Sequence, residues 1–466
     1  MPLKLSIIFV KAKVFCFSDN YLYFCNYFAN QPSETVFKKI LNTFGTKIAA
    51  AIINFLIAVV LSQTIGDVGK GTQSILLTTI SFILIFSEIV CGDSIVLLTP
   101  HHSFKQILFP SVLWSSMIAV IMGFAIGGFY PGLDANLVIH VAILSLISSL
   151  SGINFRYLIG KEEIKKANYN TLLQPVLIIF TLLIYYVFLK KTDIYGYIIA
   201  LYAAYSGSFL LGIWMLRDEF ANLKIGERTD YRGVLKDLFK YGFLNQTGHF
   251  VQFFNLRLSY YLLDNYMDKG RVGVFSNAVS LAEAIWIISN SIALVQYAHI
   301  ANTDDRRYAQ KLTLNLTKIC LAVSALAVVV LALLPPQVYI FVFGNEFGEM
   351  ADIIRILAPG VLLYCIFLIL GHYYSGIGRY QMNTFASLCG LAVTFILGFT
   401  LIPRLDVAGA ALTSTISYSV NAIFLFCFFL KESDFKWRDF ILTKKEITEY
   451  FSELKNQFFI KSTENE

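Results

Sequence analysis

Long apolar stretches alternate with short polar ones along almost the whole chain. A membrane-spanning helix needs about 20 mostly apolar residues, and windows of that size recur twelve times. The polar stretches between them are short, apart from the one before the seventh window and the one after the last. The pattern predicts an all-α integral membrane protein with twelve transmembrane helices, at 45–65, 73–92, 107–130, 135–155, 167–189, 195–216, 239–263, 272–299, 312–334, 352–376, 381–402 and 407–430.

Lysine and arginine residues indicate how these helices are oriented. Cytoplasmic loops carry an excess of both residue types. Of the 37 Lys and Arg residues, the great majority fall in both terminal segments and in every second loop; the opposite loops hold few, Lys70 among them. The bias predicts that both termini are cytoplasmic. It divides the chain into an N-terminal interfacial segment, a six-helix bundle, a linker, a second six-helix bundle and a tail, at 1–44, 45–216, 217–238, 239–430 and 431–466.

The two predicted bundles resemble each other in sequence. In the second window a polar face runs at helical spacing, and adding 202 to its residue numbers reproduces a similar face in the eighth. Thus Ser74 corresponds to Ser276, and Gly71 to Gly273. A repeat with an even number of spans enters and leaves on the same side of the membrane. The halves are therefore parallel, related by a pseudo-two-fold axis along the membrane normal, an arrangement common among transporters.

Composition narrows the class of protein. Hydrophobic residues make up 56% and charged residues 15%, whereas soluble domains carry about 25% charge. The net charge of +6 shows no clustered basic excess for a nucleic-acid partner. The sequence contains no phosphate-binding loop, hydrolase motif or metal-ligand spacing, which argues against an enzyme and predicts no cofactor. Energy would then come from an Na⁺ or H⁺ gradient, the membrane potential or the substrate gradient.

The seventh window is the most polar of the twelve. Asn245, His249 and Gln252 form one stripe, and Arg257 lies about 100° round the helix. The opposite arc, with Val251, Leu258 and Leu262, suits lipid. Two interpretations of Arg257 stay open: it faces a central cavity, or it reaches about 9 Å to the outer interface.

Further polar residues within the windows are candidates for the same cavity. A charge at mid-bilayer is costly and usually faces a bundle interior or water. Headgroup anchoring and helix packing are the competing explanations, especially for the first-window residues. The candidates are Lys47 and Asn54 in the first window, Glu88 in the second, Asn255 in the seventh, and Glu283 and Asn290 in the eighth.

Several short segments, in order over about 36–430, give the chain a family likeness. They are 66–71, 280–283, 343–347, 357–360, 375–379, 401–403, 409–411 and 417–418. Together they resemble the polysaccharide-transport flippases, which translocate O-antigen and capsule repeat units and are relatives of the multidrug-and-toxin extrusion (MATE) proteins. Family members often carry Arg-x-Asp in helix seven. Here Arg257 matches, but Ser259 stands at the acidic position, so the resemblance assigns no ion-coupling role there.

The resemblance implies a MATE-like fold and a lipid-linked substrate. That substrate is an oligosaccharide joined through pyrophosphate to undecaprenol, moved from the cytoplasmic to the outer leaflet of the bacterial inner membrane. Partners would be the bilayer, this lipid-linked oligosaccharide, and a polysaccharide polymerase or ligase. An ion-coupled exporter of organic cations is the alternative. A membrane-embedded polymerase or ligase is disfavoured, because the chain lacks a large external loop.

Physical chemistry then suggests a role for each candidate. An isolated charge in hydrocarbon costs tens of kcal/mol by Born estimates, so a cationic cavity must replace the lost hydration of the pyrophosphate. We expect Arg257 and Lys47 to meet the pyrophosphate. We expect sugar hydroxyls to be bound by Asn54, His249, Gln252, Asn255 and Asn290. We expect Glu88 or Glu283 to carry a coupling cation or proton, or simply to pair with a cation.

Overall fold

Every regular element of the chain is helical over the residues that the computed structural model describes, which are 33–129, 133–223, 231–301, 303 and 305–441. The expectation of an all-α protein is confirmed. Most of the predicted N-terminal segment (1–32), part of the linker (224–230) and most of the tail (442–466) lie outside the described residues.

The first half of the chain is built from seven helices. A π-helical turn, Ile184–Phe188, extends the fifth. Their bounds are α1 Ser33–Cys91, α2 Asp93–Leu98, α3 Phe104–Phe129, α4 Ala135–Gly160, α5 Ile164–Leu183, α6 Tyr195–Met215 and α7 Arg217–Ala221.

The second half also has seven α-helices, with short 3₁₀ turns at Asn345–Phe347 and Trp437–Phe440. Their bounds are α8 Tyr231–Tyr266, α9 Lys269–Glu283, α10 Trp286–Ala301, α11 Arg306–Leu333, α12 Pro336–Phe343, α13 Met350–Gly376 and α14 Gln381–Glu432.

The two longest helices are each broken at one residue. In α1 the break is Gly66, with φ +66° and ψ −169°, a conformation open to glycine because it has no Cβ. In α14 it is Asp406, with φ +56° and ψ −136°. Each break divides its helix into two arms, which we call α1a (33–65), α1b (67–91), α14a (381–405) and α14b (407–432). Across the first break, the Asp67 amide donates to Glu346 Oε2 at 2.7 Å.

The helices have the length and apolarity of a multi-pass membrane protein. Within the described ranges nine helices are long and apolar enough to cross a bilayer. That number counts α1 and α14 once each, treats α9 and α10 as one helix and omits the more polar α8. The difference from twelve windows therefore lies in two broken helices and in α8, and the exact count stays a prediction.

Equivalent positions of the repeat contact each other where α1b meets α9. Ser74 Oγ lies 2.7 Å from Ser276 Oγ. A Cβ built on Gly273 would lie 2.9 Å from the amide nitrogen of Gly71. Both pairs are separated by the 202 residues of the sequence repeat. Residues that contact their own equivalents lie on a two-fold axis, so these contacts support the predicted parallel arrangement of the halves.

The halves also touch at the opposite end, where α8 begins and α1b ends. A Cβ on Gly242 would lie 1.7 Å from the Ile89 carbonyl oxygen, so the two backbones are in direct contact. Nearby, Asn245 Nδ2 donates to Asp93 Oδ2 at 3.0 Å. Since α8 and α9 close on α1b at opposite ends, the space between them is held open in the middle.

The expectation that one arc of α8 faces lipid is wrong. Val251, Leu258 and Leu262 are all buried. The helix packs against α1, α3 and α14 together, so its apolar arc contacts protein. Because apolar residues have the same spacing along a helix whether they face lipid or protein, periodicity cannot tell the two environments apart.

Candidate functional site

A polar cavity of about 470 Å³ lies between α1b, α8 and α9. Its wall on α1b carries mostly hydroxyl and amide groups, and its wall on α8 carries larger polar side chains. Such convergent polar groups in a recess between helices are typical of a binding site. The polar lining consists of Lys70, Gln73, Ser74, Thr78, Ser81, Glu88, Gln246, His249, Gln252, Arg257, Tyr260, Ser276 and Ser280.

Arg257 borders this cavity and is held by a carboxylate. Its Nη1 and Nη2 donate to Glu283 Oε1 at 3.2 Å and Oε2 at 2.9 Å. The Tyr418 hydroxyl donates to the same carboxylate at 2.8 Å. The guanidinium therefore points at α9 instead of the outer interface, and a bidentate pair neutralises its charge. Glu283 contacts Arg257 and does not itself border the cavity.

Glu88 borders the same cavity near its other end and belongs to an ion-pair network. Arg156 Nη2 lies 3.7 Å from Glu88 Oε1, and Arg156 Nη1 lies 2.8 Å from Asp93 Oδ1. Asp93 also accepts from Asn245 of α8. The network therefore joins the two halves, and Glu88 is part of it.

His249 and Gln252 connect the cavity to a side pocket within the second half. Both border the central cavity and also a pocket of about 190 Å³. Gln252 Nε2 donates to the Tyr364 hydroxyl at 3.4 Å. The remaining polar wall of the pocket is formed by Tyr297, His372, Ser375, Tyr380, Asn383, Thr384 and Ser387. Amide, hydroxyl and aromatic groups therefore line this pocket together.

Four of the predicted site residues lie elsewhere. Lys47 and Asn54 are exposed on α1a, and Asn290 is exposed on α10; the described cavity wall includes none of them. Asn255 is buried, and its Oδ1 accepts from Thr394 at 3.0 Å and Ser417 at 2.5 Å. Its side chain thus fastens α8 to both arms of α14 and does not reach the cavity.

Sequence reasoning missed Lys70, which it placed in an outer loop. The structure has no loop there, because the chain turns at Gly66 and re-enters a helix at once. Lys70 is 6% exposed, and its Nζ donates to Gln73 Oε1 at 2.6 Å. One signal was available: Lys70 continues the Ser74–Thr78–Ser81 face by one further step of four residues.

Two helical halves around a polar membrane cavity define the class of protein as a membrane transporter. Within this class, the family model described as "Lipid II flippase MurJ" matches residues 133–452, and the chain belongs to this family. It is therefore a flippase and not an enzyme.

Individual relatives agree with this assignment. Capsular polysaccharide biosynthesis protein CapF of Staphylococcus aureus is 23% identical over 395 residues, covering 83% of this chain and 97% of CapF. The structure of "Lipid II flippase MurJ, inward closed conformation" is 17% identical, with a TM-score of 0.68 over 85% of this chain and 88% of that one. An inward-facing multidrug resistance MATE family transporter is 15% identical, with a TM-score of 0.63 over 82% and 94%. The solved structures establish the fold.

Proposed function

We propose that this flippase moves an undecaprenyl-pyrophosphate-linked oligosaccharide repeat unit from the cytoplasmic to the outer leaflet of the bacterial inner membrane, for capsule synthesis. O-antigen synthesis would use the same chemistry; the relationship to a capsular polysaccharide biosynthesis protein favours capsule. The observation that carries the proposal is a basic, hydroxyl-rich cavity between the two halves, with Arg257 in its wall.

The cavity suits a substrate that is anionic at one end and rich in hydroxyls at the other. A guanidinium binds phosphate oxygens through two parallel hydrogen bonds. Serine hydroxyls and the amides of Gln246 and Gln252 both donate and accept, as sugar hydroxyls do. The prenyl chain is apolar and would stay in lipid, so only the polar part of the substrate enters.

The Arg257–Glu283 pair gives a mechanism for loading. An incoming pyrophosphate would compete with Glu283 for the guanidinium, because both anions use the same donors. Displaced Glu283 would carry a buried negative charge, which favours uptake of a proton or Na⁺. Substrate and coupling-ion binding would thereby be linked through one residue.

Alternating access would follow from the two contacts between the halves. The α1b–α9 contact at Ser74 and Ser276 closes the outer end, as oriented by the loop charges, and the α1b–α8 contact at Gly242 closes the inner end. Each must open in turn for a substrate to cross. A polymerase or ligase acting at the outer face would then consume the delivered repeat unit.

Deletion of the gene in its own bacterium tests the proposal. Lipid-linked repeat units should accumulate in the inner leaflet, surface polysaccharide should be lost, and the wild-type gene should restore it. Normal surface polysaccharide in a clean deletion would contradict the proposal. Increased sensitivity to organic cations, with surface polysaccharide intact, would instead support the drug-exporter alternative.

A further inference from the structure

The described wall of the cavity carries two cationic side chains, Lys70 and Arg257. They differ in the partners that they contact. Arg257 has a bidentate carboxylate partner, at 2.9 Å and 3.2 Å. Lys70 has a neutral partner instead: its Nζ donates to the amide oxygen Oε1 of Gln73 at 2.6 Å. Among the described residues no Asp or Glu oxygen lies within 4.0 Å of the Lys70 ammonium. In this conformation the uncompensated positive charge of the cavity belongs to Lys70.

Burial makes this arrangement unusual. Lys70 is only 6% exposed, and lysine is almost never fully buried unless it is paired. An ammonium has three N–H donors, and the hydrogen bond to Gln73 uses one. Lys70 borders the same cavity as the hydroxyls of Ser74 and Ser276. A buried cation with spare donors beside hydroxyl groups is a receptor for an anion with several oxygens.

Gln73 holds the ammonium in place. Its Nε2 donates to the Tyr197 hydroxyl of α6 at 3.4 Å, so its Oε1 is turned towards Lys70. A neutral amide fixes the position of the ammonium without cancelling its charge. A carboxylate at position 73 would make the same hydrogen bond and would neutralise the cation.

The two cations lie at different depths. Lys70 is three residues from the start of α1b at Asp67, about 4.5 Å along the helix axis. Arg257 is nine residues from the end of α8 at Tyr266, about 13.5 Å. Both of these ends are the outer ends of their helices. Lys70 is thus the outer of the two cations.

We propose that Lys70, Gln73, Ser74 and Ser276 form a second anion site, which receives the pyrophosphate of the lipid-linked substrate from Arg257 before its release at the outer face. The inference rests on the proposed function and adds a second cation to it. Since Ser74 and Ser276 contact each other across the outer closure, an anion between them would weaken that closure and favour its opening.

Binding of farnesyl pyrophosphate to the purified full-length protein in detergent tests this site. Lys70→Gln should weaken binding about tenfold or more, through loss of a charge-assisted interaction, and should reduce the salt dependence of the dissociation constant. Lys70→Arg should retain most of the affinity. Gln73→Glu keeps the ammonium but neutralises it, and should weaken binding as Lys70→Gln does.

Two controls make the result decisive. Gln73→Leu removes the amide and leaves the charge, so it should bind more tightly than Gln73→Glu. Thermal unfolding of each variant shows whether it is folded. Wild-type affinity in folded Lys70→Gln and Gln73→Glu would overturn the Lys70 site and leave the proposed function intact. Failure of the wild-type protein to bind farnesyl pyrophosphate, with binding of an organic cation instead, would overturn the proposed function itself.

Discussion

Arg257 has a structural role beside the binding role proposed for it, because its partner Glu283 would be a buried anion without it. The side chains are 29% and 12% exposed, and Tyr418 adds a third hydrogen-bonding group. Loss of activity in an Arg257 variant therefore has two explanations, unfolding or loss of substrate binding. Neutralising both partners at once separates them.

Arg257→Ala should abolish transport and lower the free energy of unfolding by about 1.5–3 kcal/mol, since Glu283 loses its charged hydrogen bonds. The double variant Arg257→Ala/Glu283→Gln should recover much of this stability without recovering transport. Arg257→Lys should retain partial transport. Thermal unfolding and surface-polysaccharide complementation measure the two effects. Active transport by the double variant would show that Arg257 serves stability alone.

Asn255 should matter for stability and not for binding. Asn255→Leu removes the amide oxygen that accepts from Thr394 and Ser417 and leaves both hydroxyls the Gly390 carbonyl as acceptor, so it should cost about 0.5–1.5 kcal/mol. Farnesyl pyrophosphate affinity of the folded variant should match wild type. Thermal unfolding and a binding isotherm on one preparation check both statements. A loss of affinity without a loss of stability would show that Asn255 takes part in binding.

For single residues, the sequence indicated which positions in the membrane are polar but not which way their side chains point. Three of the site residues that it predicted in the seventh window border the cavity: His249, Gln252 and Arg257. It could not separate Asn255 from these, because the partners of Asn255 lie more than 130 positions away in α14. Lys70 was missed because a lysine beside a glycine between two apolar windows has the pattern of a loop.

Among the helices, the close approach of α1b to α9 depends on the absence of side chains. A Cβ on Gly71 would lie 1.6 Å from the Lys269 carbonyl oxygen, a contact that no backbone tolerates. Gly152 of α4 is a matched control, because a Cβ there meets nothing within 4 Å. The comparison separates the closing contact from the general effect of replacing a helical glycine.

Gly71→Ala should prevent the outer ends of the two halves from closing, whereas Gly152→Ala should not. A cysteine at position 276, in a background without native cysteines, reports the difference. It should be protected from a membrane-impermeant thiol reagent added outside in the parent and in Gly152→Ala, and labelled in Gly71→Ala. Continued protection in folded Gly71→Ala would mean that this contact does not close the outer end.

Helix positions were well predicted from apolar windows, and helix environments were not. The windows at 45–65 and 73–92 correspond to α1a and α1b, and the gap between them contains the break at Gly66. The same windows could not show that α8 lies between the halves. The apolar arc of α8 is covered by protein, although its periodicity predicted contact with lipid. Only tertiary packing distinguishes a lipid-facing arc from a protein-facing one.

For the whole molecule, the repeat and the resemblance predicted the architecture, and neither predicted the distribution of charge within it. Contact between Ser74 and Ser276, 202 residues apart, fits a two-fold relation that the sequence had already suggested. The pairing of Arg257 with Glu283 leaves Lys70 as the uncompensated cation in the described wall of the cavity, and this pairing depends on side-chain geometry. No spacing rule in one sequence contains that information.

Transport by the purified protein in liposomes is the most direct test of the central claim. The substrate is an undecaprenyl-pyrophosphate-linked oligosaccharide, and a membrane-impermeant enzyme that trims its sugars reports the leaflet in which it resides. We predict transfer between leaflets by the wild-type protein, none by Arg257→Ala/Glu283→Gln, and wild-type rates for Gly152→Ala. Equal transfer in protein-free and wild-type liposomes, with every variant folded, would contradict the account.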